Sequence, residues 1–172
     1  RRIEAQFGHL PAGEPTNLDI CHAAKGVYWV TIHLEGQPGH AAMPWQTQNP
    51  MLRLSQGLHQ LLQRYPAPEE AIWETTVTPT GVEADTSHNR VPNQVSLKLD
   101  IRRTPDHTQD QILEDLLQCF SGARVEVIQD IYAHYVDPQH PWCQRLADLQ
   151  EKELGKRPRF YQEHFASDAR YW

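Results

Sequence analysis

Two hydrophobic periodicities alternate between residues 27 and 135 and constrain the fold more than any other feature of the sequence. Apolar residues recur at every second position in the runs 27–35, 94–102 and 124–131, which is the pattern of strands with one buried face. The run 73–83 is rich in Thr and Val but contains a proline, which predicts a weaker strand at an edge of the sheet. Apolar residues with helical spacing follow the strands predicted at 27–35 and 94–102. The order β-α-β-β-α-β predicts an α+β fold of the ferredoxin-like type, a four-stranded antiparallel sheet with two helices on one face.

Capping signals place the starts of both helices. Asn49 followed by Pro50 predicts an N-cap and a first helical position, and this helix is expected to end before Pro66. Thr108 with Gln111 three residues later resembles a capping box at the start of the second helix.

The pattern changes beyond residue 136. Residues 140–154 predict a third helix closed by Gly155, and a short strand is expected at 160–161. This tail does not belong to the β-α-β-β-α-β unit.

Composition narrows the class of protein. The formal charge is -6 without a basic stripe, which argues against a nucleic-acid partner. No apolar run approaches the ~18 residues of a membrane span. Three cysteines without a C-x-x-C pair fit a cytoplasmic protein with unpaired thiols better than a disulfide framework. The chain lacks an initiator Met and ends on two aromatic residues, so we expect a piece of a longer protein.

The loop between the first strand and the first helix carries the main candidate for chemistry. Residues 36–44 include two glycines and two prolines, which suit a tight, fixed loop. His40 lies in this loop between small residues. An idle, solvated histidine is the alternative that the loop alone leaves open.

Short motifs spread along almost the whole chain carry a resemblance to a known family. They are Gly13-Glu14-Pro15-Thr16, Lys25-Gly26, Gly36-x-x-Gly39-His40-Ala41, Asn49-Pro50, Asn89-x-Val91-Pro92, Asp100-Ile101-Arg102 and Ser167-Asp168-Ala169-Arg170. Each is weak singly, but their order and spacing resemble those of the co-catalytic zinc amidohydrolases of metallopeptidase family 20. That group includes acetylornithine deacetylase, succinyl-diaminopimelate desuccinylase, aminoacylase and carboxypeptidase G.

The resemblance implies a role for four residues. Glu14 aligns with a carboxylate that ligates one of two zinc ions, a normal ligand for catalytic zinc. His40 aligns with a histidine that reaches into the partner subunit's active site and hydrogen-bonds the carbonyl oxygen as it becomes an oxyanion, a contact worth about 3 kcal/mol. Asn89 aligns with a residue at the same shared site. Arg102 aligns with the arginine that takes the substrate's carboxylate, for which a planar guanidinium is suited.

The resemblance also implies a domain organisation. Residues 27–135 resemble the lid or dimerisation domain of the family, with pieces of the catalytic domain at 1–26 and 136–172. The implied parent is a homodimeric amidohydrolase for an N-acyl amino acid or a small peptide. It would hold two zinc ions, with cobalt or manganese as alternatives.

The chain departs from the family in its metal ligands. The resemblance implies that the family's early His-x-Asp ligands, its Glu-Glu pair of one ligand and one general base, and a late histidine ligand lie outside these 172 residues. We therefore expect an incomplete metal site and no amide hydrolysis by this chain alone. The alternatives are a stand-alone ferredoxin-like dimerisation or binding module, and a degenerate family member without metal.

Overall fold

The computed structural model of the protein describes residues 15–85 and 87–167. The strands are β1 (Ile20–Ala24), β2 (Gly26–Glu35), β3 (Gly39–His40), β4 (Thr76–Ala84), β5 (Arg90–Val91), β6 (Gln94–Arg103), β7 (Arg124–Ile131), β8 (His134–Tyr135) and β9 (Phe160–Glu163). The helices are α1 (Pro50–Arg64), α2 (Gln109–Cys119) and α3 (Pro141–Leu154), with a 3-10 turn at Pro44–Gln46.

The predicted ferredoxin-like unit is confirmed. Its sheet has the order β4-β6-β2-β7, and every neighbouring pair is antiparallel. The chain passes through it as β2-α1-β4-β6-α2-β7. The strand containing the proline is at an edge, as its composition predicted.

One face of the sheet and both helices share a single hydrophobic core. The inward positions of β2 and β6 are almost fully buried, as their period-two pattern requires. They pack against the buried faces of α1 and α2 and against the ring of Phe120, which directly follows α2. The core residues include Tyr28, Val30, Ile32, Leu34, Leu54, Leu61, Val95, Leu97, Leu99, Ile101, Ile112, Leu116 and Phe120.

The predicted caps are present at both helix starts. The Asn49 side chain accepts a hydrogen bond from the Met51 backbone N–H (2.9 Å), which satisfies a donor that the helix leaves open. Thr108 and Gln111 form both halves of a capping box. Gly155 ends α3 in the left-handed conformation, at φ 72°. No helix among the described residues is long and apolar enough to cross a membrane.

A second, three-stranded sheet adjoins the ferredoxin-like sheet. It has the order β8-β1-β9. Lys25 is the single residue between β1 of this sheet and β2 of the larger sheet. A Cβ at Gly26 would lie 2.4 Å from the Ile131 carbonyl oxygen, so only glycine fits at this junction. Lys25 is buried, donates to the Ile72 carbonyl oxygen (3.0 Å) and lies 5.8 Å from the centre of the Trp73 ring. Burial lowers the pKa of its ammonium group.

The contact between α1 and the end of α2 depends on a glycine, which gives a stability test. A Cβ at Gly57 would lie 2.2 Å from the Phe120 ring, which is itself buried. Gly57→Ala should therefore destabilise the protein by about 1–3 kcal/mol through overpacking, although alanine favours helices. Urea denaturation measures the change. Gly81→Ala is the matched control because its Cβ meets only the Lys98 side chain at 3.7 Å. Equal stability of the two variants would contradict the packing argument.

Candidate functional site

Two loops that are distant in sequence are joined by a short antiparallel pairing of β3 with β5. Gly39 pairs with Val91, and His40 pairs with Arg90. The Ala41 backbone N–H donates to the Asn89 carbonyl oxygen (2.9 Å) and extends the pairing by one residue. The sequence motifs containing His40 and Asn89 therefore lie side by side at one end of the ferredoxin-like sheet.

The loop that carries His40 is held by close backbone contacts. Gln37 and Gln48 exchange two backbone hydrogen bonds of 2.9 and 3.0 Å. A Cβ at Gly36 would lie 2.2 Å from the Gln48 carbonyl oxygen, so this approach requires glycine. The Met43 backbone N–H donates to the His40 carbonyl oxygen (2.9 Å) and closes a turn directly after the histidine. These contacts make the loop the fixed support that its glycines and prolines predicted.

The His40 ring is exposed and presents one nitrogen to solvent. The Ala42 backbone N–H donates to His40 Nδ1 (3.1 Å), so Nδ1 acts as an acceptor. A neutral ring with an accepting Nδ1 carries its hydrogen on Nε2. His40 thus offers a positioned N–H donor that points away from its own loop.

Asn89 is exposed in the turn before β5. Its side-chain oxygen accepts a hydrogen bond from Ser87 Oγ (2.9 Å). That contact orients the carboxamide and leaves the NH2 group as its donor.

Arg102 lies on the polar face of β6 and is bound to a carboxylate of the same strand. Its Nε and Nη2 donate to the two oxygens of Asp100, at 2.7 and 3.1 Å. Trp29 Nε1 also donates to Asp100 (3.1 Å), which fixes the carboxylate. The Nη1 donors remain outside this bidentate contact, so Arg102 can still bind a second carboxylate.

Register places Arg102 far from His40. Arg102 pairs with Val27, whereas Gln94, at the opposite end of β6, pairs with Glu35 just before the His40 loop. At a rise of ~3.3 Å per residue, the two ends of β6 are roughly 25 Å apart. The structure therefore brings His40 and Asn89 together and leaves Arg102 at the other end of the sheet.

Arg90 is a neighbour of His40 that the sequence predictions passed over. The two residues are directly paired, and 56% of the Arg90 side chain is exposed. Among the described residues, its nearest carboxylate is that of Asp85. The distance from Arg90 Nη1 to Asp85 Oδ2 is 3.9 Å, which is longer than a hydrogen bond. The signal was available as the unspecified position in Asn89-x-Val91-Pro92, but only the pairing with β3 shows what lies beside it.

The predicted metal ligand is not part of the described structure. Glu14, like residues 168–170 of the last sequence motif, lies outside the described residues. Within residues 15–85 and 87–167, no three His, Cys, Asp or Glu side chains are grouped so that they could hold a metal ion.

Residues 22–127 match the M20 dimerisation family model, which is described as a peptidase dimerisation domain. This match covers more than half of the chain. The chain belongs to the M20 peptidase family.

Two curated relatives with similar sequences are named as a hydrolase and a desuccinylase. A putative [LysW]-lysine/[LysW]-ornithine hydrolase from Pyrobaculum aerophilum is 34% identical over 93 residues, covering 54% of this chain and 27% of that protein. A succinyl-diaminopimelate desuccinylase from Maricaulis maris is 28% identical over 186 residues, covering 96% of this chain and 46% of that protein. The chain thus spans less than half the length of these relatives.

Solved structures show the same fold. The aminopeptidase PepT from Bacillus cereus superposes with a TM-score of 0.70 at 18% identity, covering 88% of this chain and 42% of that one. At 18% identity, this likeness shows a shared fold and nothing further.

The contact between Ala42 and His40 predicts the tautomer of the histidine. We expect the neutral ring of His40 to carry its hydrogen on Nε2, because Nδ1 accepts a backbone hydrogen bond. Long-range 1H–15N correlation spectra of the 172-residue chain at alkaline pH distinguish the two tautomers, and His40→Gln identifies the signals. A neutral ring with its hydrogen on Nδ1 would contradict the geometry of this loop.

Proposed function

We propose that this chain is the lid region, with its flanking segments, of a dimeric, metal-dependent amidohydrolase. Residues 27–135 are the lid, and residues 1–26 and 136–172 belong to a catalytic domain. The substrate is an N-acyl amino acid or a small peptide, whose amide bond is hydrolysed. Membership of the M20 family and the names of the relatives support this reaction class.

The observation that carries the proposal is the separation of His40 from Arg102. The family resemblance predicts a substrate contact for both residues, yet they lie toward opposite ends of one sheet. An N-acyl amino acid is far shorter than the roughly 25 Å span of this strand, given ~3.3 Å per residue. A dimer with two-fold symmetry would allow one substrate to contact both residues, since the His40 end of one copy can face the Arg102 end of the other.

The chemistry of each residue then follows from its donors. His40 of the partner subunit donates its Nε2 hydrogen to the carbonyl oxygen, and this bond strengthens as negative charge develops in the transition state. Asn89 offers its NH2 group at the same end. Arg102 of the first subunit binds the substrate carboxylate through the donors that Asp100 leaves open. Because binding to His40 grows with the charge, His40 acts on turnover more than on ground-state affinity.

Metal dependence is proposed from the family. Zinc is the expected metal, with cobalt or manganese as alternatives, and Glu14 is the ligand that this chain would contribute. The remaining ligands and the general base are expected outside these 172 residues.

The dimer interface is assigned to β4 and α1. β4 is an edge strand whose backbone groups need a partner or a cover. Val82 pairs with the core residue Leu97, so it lies on the helix-covered side of the sheet, yet it is 49% exposed. Leu52 and Leu62 of α1 are also exposed. A second copy that pairs with β4 would cover the edge and this apolar side together.

Light scattering across a concentration series tests the interface on the chain itself. We expect a homodimer, and Val82→Asp should convert it to a monomer by placing a charge in the interface. Val127→Asp on β7 is the matched control, because Val127 is 44% exposed at the opposite edge. A monomeric wild-type chain, or dissociation by the β7 variant instead, would contradict the assignment.

Mixing of variants tests the shared site in the full-length enzyme. His40→Ala and Arg102→Ala should each reduce kcat/KM, with His40→Ala lowering kcat by on the order of 10²–10³. In a heterodimer of the two variants, one site contains both the intact His40 and the intact Arg102. Random mixing of equal amounts should therefore restore about one quarter of the wild-type activity, because half the dimers are mixed and each has one intact site.

The control is a mixture of His40→Ala with Asn89→Ala. Both changes affect the end that one subunit supplies, so each site of the mixed dimer lacks one of these two side chains. This mixture should show no recovery beyond the average of its components. Recovery absent from the first mixture as well would place His40 and Arg102 in the same subunit's site and overturn the proposed arrangement.

A further inference from the structure

The pairing of β3 with β5 sets His40 and Arg90 next to each other on one face of the hairpin. The hydrogen bond between Ala41 and Asn89 makes that pair a hydrogen-bonded one, so the adjacent pair of His40 and Arg90 is of the non-hydrogen-bonded kind. Directly paired residues of this kind bring their Cβ atoms within ~4.5–5.5 Å of each other on the same side of the ribbon. Arg90 therefore accompanies His40 wherever His40 is presented.

The charge of Arg90 is accessible. More than half of the Arg90 side chain is exposed, and the approach of its Nη1 to Asp85 Oδ2 is an exposed contact of 3.9 Å that contributes little stability. Arg102 differs, since Asp100 already occupies one edge of its guanidinium with hydrogen bonds of 2.7 and 3.1 Å. Of the two arginines, Arg90 is therefore the one whose guanidinium can bind an anion through two N–H donors on any edge.

We propose that Arg90 is a specificity-determining residue that binds a carboxylate on the acyl group of the substrate. The inference rests on the proposed function, because it takes His40 as the group that contacts the carbonyl oxygen. Arg102 of the other subunit holds the carboxylate of the amino acid, so Arg90 approaches from the acyl side. Arginine has the longer side chain of this pair, so its guanidinium extends beyond the imidazole that contacts the carbonyl oxygen. A dicarboxylic acyl group such as succinyl offers a second carboxylate on the acyl side of that carbonyl, whereas an acetyl group has none.

The test compares two substrates that differ only in the acyl group. N-succinyl and N-acetyl derivatives of the same set of amino acids are assayed with the full-length, metal-loaded enzyme. Arg90→Gln should lower kcat/KM for the succinyl substrates by on the order of tenfold and leave the acetyl substrates within about twofold, because only the former lose an ion pair. Arg90→Lys should restore part of the succinyl activity. Arg124→Gln on β7, a second exposed arginine, is the control that should change neither.

Product inhibition gives a second readout. Succinate should inhibit the wild-type enzyme more strongly than acetate does, and Arg90→Gln should remove that difference. An equal loss on both substrate series, or an unchanged ratio, would overturn the role of Arg90 and leave the proposed hydrolase intact. Hydrolysis of unacylated peptides alone would also overturn it. An enzyme that hydrolyses no amide substrate would overturn the proposed function and this inference together.

Discussion

The antiparallel pairing of β2 with β6 is the constraint on which the rest of the structure depends. It runs from Gly26 opposite Arg103 to Glu35 opposite Gln94 without a change of register. Its inward side chains form the centre of the core, so a slip of one residue would turn every apolar side chain to the open face. The open face adds a cross-strand tie, in which His33 bonds Ser96 on one side and Glu126 on the other, at 2.9 and 2.8 Å. A sheet held this firmly cannot shorten the distance between its ends, and the location of the candidate residues at those ends follows from it.

Much of this fold could be predicted because its signals are local. The alternation in β2 and β6 reports burial directly, and the caps at Asn49 and Thr108 are satisfied by neighbours two or three residues away. The helix bounds follow from these caps and from the residues that end each helix. Local chemistry and tertiary packing agree throughout the β-α-β-β-α-β unit, which is why a periodicity argument sufficed.

The sequence reasoning missed the elements that depend on distant partners. β3 and β5 have two residues each, too few to show a period, and their pairing joins segments about fifty positions apart. β1 has no regular alternation of apolar residues, and both of its neighbours, β8 and β9, come much later in the chain. The position of Arg90 beside His40 is likewise a property of the pairing. The family resemblance pointed to His40, Asn89 and Arg102, and their roles stay predictions, but it treats the position of Arg90 as unspecified.

In the proposed site, the strand β6 orients Arg102 for binding through a neighbouring carboxylate. Asp100 and Arg102 are two positions apart on β6 and therefore share a face, and Trp29 on the neighbouring strand holds the carboxylate from the other side. An arginine free in solvent loses rotamer entropy when it binds, and Asp100 has already removed part of that freedom. The same carboxylate competes for the guanidinium, so it costs some binding energy while it improves geometry. For Arg102 the gain in orientation outweighs this competition, since its Nη1 donors stay available for a second carboxylate. Arg90 differs because its Nη1 lies 3.9 Å from Asp85 Oδ2, so its guanidinium is not fixed by a hydrogen bond to that carboxylate and can adjust to the substrate.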